Sequence, residues 1–126
     1  TQVGNLALRL WEDKRITDKV IVDWLDRLFA RNEWLGIGRK RPVPHEAWFQ
    51  IAGYFYYYGH YYAGLLMDHV PAKDRPRLQD HLATTLMKLQ EKAGDWWDFP
   101  LYDYHRQYGT AMAVLALHKC LRAPKE

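Results

Sequence analysis

The densest group of chemically active side chains lies in one short segment near the end of the chain. Residues 94–108 contain the carboxylates of Asp98 and Asp103 and the imidazole of His105. Carboxylates and imidazoles transfer protons in enzymes and ligate metal ions. These three residues are therefore the catalytic candidates. The alternative is that Asp103 and His105 cap the start of the helix that follows them.

A second candidate is a segment crowded with aromatic rings. Seven aromatic residues lie between Tyr54 and Tyr62, around Gly59 and His60. Aromatic faces line apolar cavities and stabilise cations, whereas the alternative is that these rings pack between two layers of helices with their hydroxyls hydrogen-bonded. Taken over the whole chain, the candidate ligand-binding residues are Tyr54, Tyr57, Tyr58, His60, Tyr61, Trp96, Tyr104 and Tyr108.

The remaining polar groups exclude several classes of protein. The formal net charge is +3 and the only basic cluster is Arg39-Lys40-Arg41, so we expect no nucleic-acid binding. That cluster is either a solvated loop or a site for a diphosphate or an acidic partner. The chain contains no Ser, and Cys120 has no evident activating partner. The apolar run 47–67 holds Gln50, His60 and several tyrosine hydroxyls, so we expect no transmembrane segment.

Apolar spacing predicts about five helices and no strand. They cover residues 1–11, 18–31, 46–69, the segment between Asp74 and Gly94, and 105–121, with loops at 32–46 and 95–103. Thr17 and Asp74 are predicted N-caps, and Gly94 is the predicted C′ residue of the fourth helix. The second and fourth helices have a single apolar stripe, whereas the third and fifth are apolar on most faces. This alternation predicts an outer and an inner layer. The two stripes are Ile21, Trp24, Leu25, Leu28 and Phe29, and Leu78, Leu82, Leu86 and Leu89.

A sequence motif of eight residues, the repeated phrase, occurs three times, at residues 1–8, 60–67 and 110–117. Its copies start at Thr1, His60 and Thr110. In each copy an apolar triplet follows five residues later, and the last two copies are each preceded by a Tyr-Gly pair. Repetition at this period is typical of architectures in which each unit buries its apolar face against the next. It predicts one repeat domain with units at about 1–16, 17–70 and 71–122. Because such units expose apolar faces when unpaired, we expect either a homo-oligomer or further chain that completes the fold.

The pattern resembles the prenyltransferase and squalene-cyclase repeat superfamily. The resemblance rests on Gln90 followed by Gly94 and Trp96, on the run 108–113, and on Thr1-Gln2 with Leu10-Trp11. It implies an all-α fold that is a partial α/α toroid. It also implies a repeat domain that binds a protein partner or an apolar, isoprenoid-like molecule in a concave aromatic face.

The same resemblance implies an enzymatic alternative, a fragment of a terpenoid cyclase or of a zinc-dependent prenyltransferase with catalytic groups partly elsewhere. In prenyltransferase β subunits, a His in a segment similar to 94–108 is a zinc ligand, which would correspond to His105. Catalytic zinc needs three protein ligands. The Asp-x-Cys pair that supplies the others in that family is absent, and Cys120 lies about 22 Å along the same helix. We therefore expect no metal and no other cofactor.

Overall fold

The computed structural model describes residues 1–41, 53–100 and 103–121. These residues form six α-helices and contain no strand, which confirms the predicted all-α class. Within the same residues, no helix is both long and apolar enough to cross a membrane. The helices are α1 (Gln2–Leu10), α2 (Asp18–Ala30), α3 (Asn32–Gly36), α4 (Tyr56–Leu66), α5 (Arg75–Met87) and α6 (Tyr104–Leu121), with 3₁₀ turns at Gly53–Phe55 and Met67–His69.

The residues that precede α2 and α5 explain where these two helices begin. The Thr17 hydroxyl accepts the Val20 backbone N–H at 3.3 Å, which satisfies one of the free donors of the first turn and confirms the predicted cap. Asp74 precedes α5, but its side chain makes no capping hydrogen bond. Pro76 instead occupies the second position of α5, where its missing N–H breaks no helical hydrogen bond.

Two predicted boundaries differ from the structure. The expected loop after α2 begins with the short helix α3, which follows α2 after a single residue. The fourth helix ends at Met87, so Gly94 is not its C′ residue. Gly94 has φ of +88° and lies in a later turn, closed by the bond from its N–H to the Glu91 carbonyl at 2.8 Å. The predicted start of the third helix, 46–52, lies outside the described residues.

Helices α1, α4 and α6 form a row in which α4 packs between the other two. Helix α2 packs against α1 and α5, and α5 packs against α6. The predicted stripes of α2 and α5 supply much of the core. Helices α2 and α5 thus lie beside the row of three helices, whereas the assignment of helices to an inner and an outer layer stays a prediction. That the row is an arc of an α/α toroid stays a prediction.

Small residues set the distances around α6. A β-carbon on Gly64 of α4 would lie 2.9 Å from the Ala116 Cα of α6, so these helices touch through their backbones. A β-carbon on Gly109 of α6 would lie 2.5 Å from the Trp96 carbonyl oxygen. The loop that follows α5 is therefore held directly on α6.

Three ion pairs join the second predicted unit to the third, and each spans 51 residues of sequence. Arg77 and Asp26 form a two-bond pair with N–O distances of 2.6 and 3.1 Å. Lys119 Nζ lies 2.5 Å from Asp68 Oδ2. Lys40 pairs with Glu91. Each unit therefore contributes both cations and anions to the contact with the other.

Candidate functional site

The aromatic helix α4 carries a buried polar group, His60, in its second turn. The His60 side chain is only 1% exposed and its ring stacks on Tyr56 with centroids 4.3 Å apart. Its Nδ1 lies 2.8 Å from the Tyr56 carbonyl oxygen, and its Nε2 lies 2.9 Å from Oδ1 of Asn32. Helical spacing of four residues places Tyr56 and His60 on one face, and Asn32 reaches them from the start of α3.

Burial lowers the pKa of His60 to about 4, and the positive charge of Arg39 acts in the same direction. The ring is therefore neutral at pH 7 and has one N–H to donate. Both ring nitrogens face oxygens, the Tyr56 carbonyl and Asn32 Oδ1, so this N–H donates to one of them at a time. Oδ1 of Asn32 also accepts the hydrogen bond that the Tyr56 hydroxyl donates at 2.7 Å.

Arg39 lies on the other side of this cluster. Its guanidinium is 5.5 Å from the centre of the Tyr56 ring, and Nη1 donates to the Tyr57 hydroxyl at 3.3 Å. Burial raises the pKa of Tyr56 to about 12 and raises that of Tyr57 further. Both phenols are therefore neutral at physiological pH. The basic cluster at 39–41 is thus more than a solvated loop, because Arg39 and Lys40 make specific contacts.

An open cleft of about 660 Å³ adjoins His60. It lies between the start of α1, the α2–α3 corner and the start of α4, a size within the roughly 300–1,000 Å³ of small-molecule sites. His60, Gln2 and Thr1 supply its polar groups. Of the described side chains that line the cleft, none carries a charge when His60 is neutral. The apolar and aromatic walls are Val3, Leu28, Leu35, Phe55, Tyr56 and Tyr58.

A second cluster surrounds Asp98, whose side chain is fully buried. Its Oδ2 accepts the Tyr57 backbone N–H at 3.3 Å, and its Oδ1 lies 3.4 Å from His105 Nδ1. Tyr57 is the second residue of α4 and His105 the second of α6. Asp98 therefore caps the start of α4 from a distant loop and ties it to the start of α6.

Burial raises the pKa of Asp98, while the Tyr57 N–H and His105 oppose that shift. Burial and the nearby Asp98 charge raise the pKa of Tyr108 to about 12. The Tyr108 ring lies 6.1 Å from that of His105. Two catalytic candidates, Asp98 and His105, are thus brought together, whereas the third, Asp103, lies exposed before α6. Asp98 and His105 do not line the cleft.

The predicted ligand-binding residues divide between the cleft and other places. Tyr58 and His60 line the cleft. Tyr57 is buried beneath it, and Trp96 is buried with its indole N–H donating to the Leu86 carbonyl at 2.8 Å. The Trp96 ring therefore anchors the loop to α5. The others are spread over the aromatic surface: Tyr54 against Phe99, Tyr61 against Tyr62, Tyr108 beside His105 and Tyr104 exposed.

Sequence reasoning missed Asn32 and Tyr56 as members of the site. The spacing of Tyr56 and His60 was a usable signal, because residues four apart share a helical face. No sequence motif near Asn32 indicated its role, because its partner His60 is 28 residues away. Burial raises the pKa of Cys120 to about 11, which keeps it an inert thiol as predicted.

Within the described ranges, no three His, Cys, Asp or Glu side chains lie close enough together to hold a metal ion. Comparison with protein-family models, with curated proteins and with solved structures finds no match. The resemblance to prenyltransferase and squalene-cyclase repeats therefore stays a prediction.

Proposed function

We propose that this chain binds an uncharged, apolar small molecule in the cleft between α1, α3 and α4. The observation that carries the proposal is the cleft itself, which has aromatic walls and, among the residues that the structure describes, no charged side chain. Burying apolar ligand surface there is favourable by roughly 25 cal/mol per Å². A charged ligand would lose its hydration without gaining a partner from these side chains.

The wall of the cleft is held in place before any ligand arrives. The Tyr56 ring is stacked on His60 and its hydroxyl is hydrogen-bonded to Asn32. A site that is already ordered loses less conformational entropy on binding. His60 thus acts as a positioning residue for the wall, and Asp98 supports the same helix from below through Tyr57.

The proposal concerns binding, because the groups able to transfer protons lie elsewhere. Asp98 and His105 face each other at the starts of α4 and α6 and are not among the cleft-lining residues. His60 is neutral, and both of its nitrogens are engaged by the protein. An isoprenoid alcohol fits the chemistry of the cleft, since it has an apolar chain and a single uncharged polar group.

Gly59 offers a direct test, because it lines the cleft and a β-carbon added there meets nothing within 4 Å. Leu at this position should fill the cleft without a clash. We expect Gly59→Leu to weaken the binding of the neutral dye Nile red, and of farnesol in competition with it, by about tenfold or more, which is about 1.4 kcal/mol. Fluorescence titration measures both affinities.

Gly59→Ala is the matched control, since it removes the same glycine but adds only one carbon. It should bind the dye as the unchanged chain does. Farnesoic acid, which carries a carboxylate on the same chain, should compete less well than farnesol. The proposal is wrong if Gly59→Leu binds as tightly as Gly59→Ala, or if the acid competes better than the alcohol.

A further inference from the structure

The three copies of the repeated phrase align α1, α4 and α6 residue by residue. Thr1, His60 and Thr110 occupy the same position, so two faces can be followed through all three helices. The forward face consists of Asn5 and Leu6 in α1, Gly64 and Leu65 in α4, and Val114 and Leu115 in α6. The rear face consists of Ala7 and Leu8 in α1, Leu66 of α4 with Met67 directly after it, and Ala116 and Leu117 in α6.

The contact between α4 and α6 shows how these faces meet. Gly64 belongs to the forward face of α4, and Ala116 belongs to the rear face of α6. A β-carbon on Gly64 would lie 2.9 Å from the Ala116 Cα and 3.2 Å from its Cβ. In this pair, the forward face of α4 therefore packs on the rear face of α6.

The forward face is buried in α1 but becomes exposed in α6, the last helix of the row. Asn5 and Leu6 are buried in α1, and Gly64 is buried in α4. At the same positions in α6, Val114 and Leu115 are each 50% exposed. The forward face of α6 is thus an apolar surface without a cover among the described residues.

The rear face shows the opposite trend. Leu66 of α4 and the following Met67 are buried, whereas the corresponding Ala7 and Leu8 of α1 are exposed, Leu8 by 38%. Trp11, one turn beyond Ala7, is 85% exposed, although its counterpart Val70 is 1% exposed. The forward face of α6 and the rear face of α1 are therefore both exposed, and they are the two kinds of face that pack together between α4 and α6.

We propose that the forward face of α6 in one copy of this chain packs against the rear face of α1 in a second copy. The contact repeats between molecules the arrangement that joins α4 to α6 within one molecule. Val114 replaces Gly64 at the forward position, so the intermolecular helices lie farther apart than α4 and α6, with Ala7 leaving room for the valine. Because the two surfaces differ, the assembly is head-to-tail and forms a ring or a filament.

Two variants that each block one face provide the test. Ala7→Lys places a charge on the rear face of α1, and Val114→Lys places one on the forward face of α6. Both positions are exposed in the single chain, so folding should be retained, which circular dichroism checks. Met87→Lys, at an exposed position of α5 outside both faces, is the control.

Light scattering coupled to size exclusion should give the unchanged chain and Met87→Lys a mass above that of one chain, 15.0 kDa, and rising with concentration. Ala7→Lys and Val114→Lys should each run as a single chain. Mixed together, they should form a dimer that grows no further, since each supplies the face that the other lacks. Isotope labelling of one variant identifies that dimer by native mass spectrometry.

Three results would overturn the inference. The unchanged chain could run as a monomer at every concentration. Ala7→Lys alone could still associate while Val114→Lys does not, which would show that α6 pairs with α6. Finally, the mixture of folded variants could stay monomeric, which would show that the two faces do not meet.

Discussion

The pKa of His60 links a single buried side chain to the stability of the whole fold. Its pKa falls from 6.5 in the unfolded chain to about 4 when folded, because burial disfavours the imidazolium. Between these values the unfolded state binds the proton more tightly. The stabilisation is therefore complete above pH 6.5 and is lost as the pH falls toward 4.

We expect the free energy of unfolding to drop by about 3 kcal/mol between pH 7 and pH 4 through His60 alone. Urea unfolding across that range measures the drop. His60→Gln, which keeps an amide donor and acceptor, should flatten the curve, whereas His118→Gln, at an exposed position, should not. A curve of unchanged slope in His60→Gln would contradict this assignment.

Asp98 contributes with the opposite sign. Its pKa is raised by burial, so its stabilising contribution is full below the ordinary value of 3.8 and is lost as the pH rises through the folded value. Asp98→Asn retains an oxygen that accepts the Tyr57 N–H but cannot ionise. Its stability relative to the unchanged chain should therefore increase from pH 4 to pH 7 in the same urea series. A constant difference between the two proteins would refute this.

At the scale of the helix, the spacing of α4 and α6 depends on two small residues. Gly64→Ala would press a methyl group against the Ala116 backbone, so the helices must separate. We expect a loss of about 1–3 kcal/mol in thermal or urea unfolding, as for other overpacked cores. Gly59→Ala in the same helix meets no atom and should instead gain up to about 1 kcal/mol. Equal effects of the two changes would contradict the contact.

Helices were predictable where the apolar spacing and the capping residue lie close together in the sequence. The stripe of α2 and its Thr17 cap lie within a few residues of each other, so period and capping residue suffice to locate the helix. Helix α3 was missed because Gly36 and the prolines beyond it indicate a loop, whereas the chain continues to coil for one more turn. The Asp98 cap could not be foreseen, since Tyr57 is 41 residues away and only packing brings the two together.

At the scale of the molecule, the sequence predicted the all-α class but only part of the candidate site. The alternation of one-striped and all-round apolar helices indicated that α4 packs on several sides, but it did not identify α1 as a member of the row. It carried no information on the cleft, because its walls come from α1, α2, α3 and α4. Cleft volume and the neutrality of His60 depend on distances that no spacing rule supplies.

The Arg77–Asp26 ion pair links the second predicted unit to the third, and its contribution to stability can be measured. Both side chains are about half exposed, so the pair is screened by water, although its two-bond geometry is favourable. A double-mutant cycle with Asp26→Asn and Arg77→Gln should give a coupling energy of about 0.5–1 kcal/mol that decreases in high salt. Asp23→Asn, on the same helix but paired with Lys19, should show no coupling to Arg77→Gln.

The three ion pairs of constant separation also bear on how the two units would meet as separate pieces. Residues 17–70 contribute Asp26, Asp68 and Lys40 to these pairs, and residues 71–122 contribute the opposite charges. Two peptides that cover these units would therefore carry complementary charges at three fixed points. A register shifted by a few residues would separate these charges, so docking of the peptides would favour the arrangement of the intact chain.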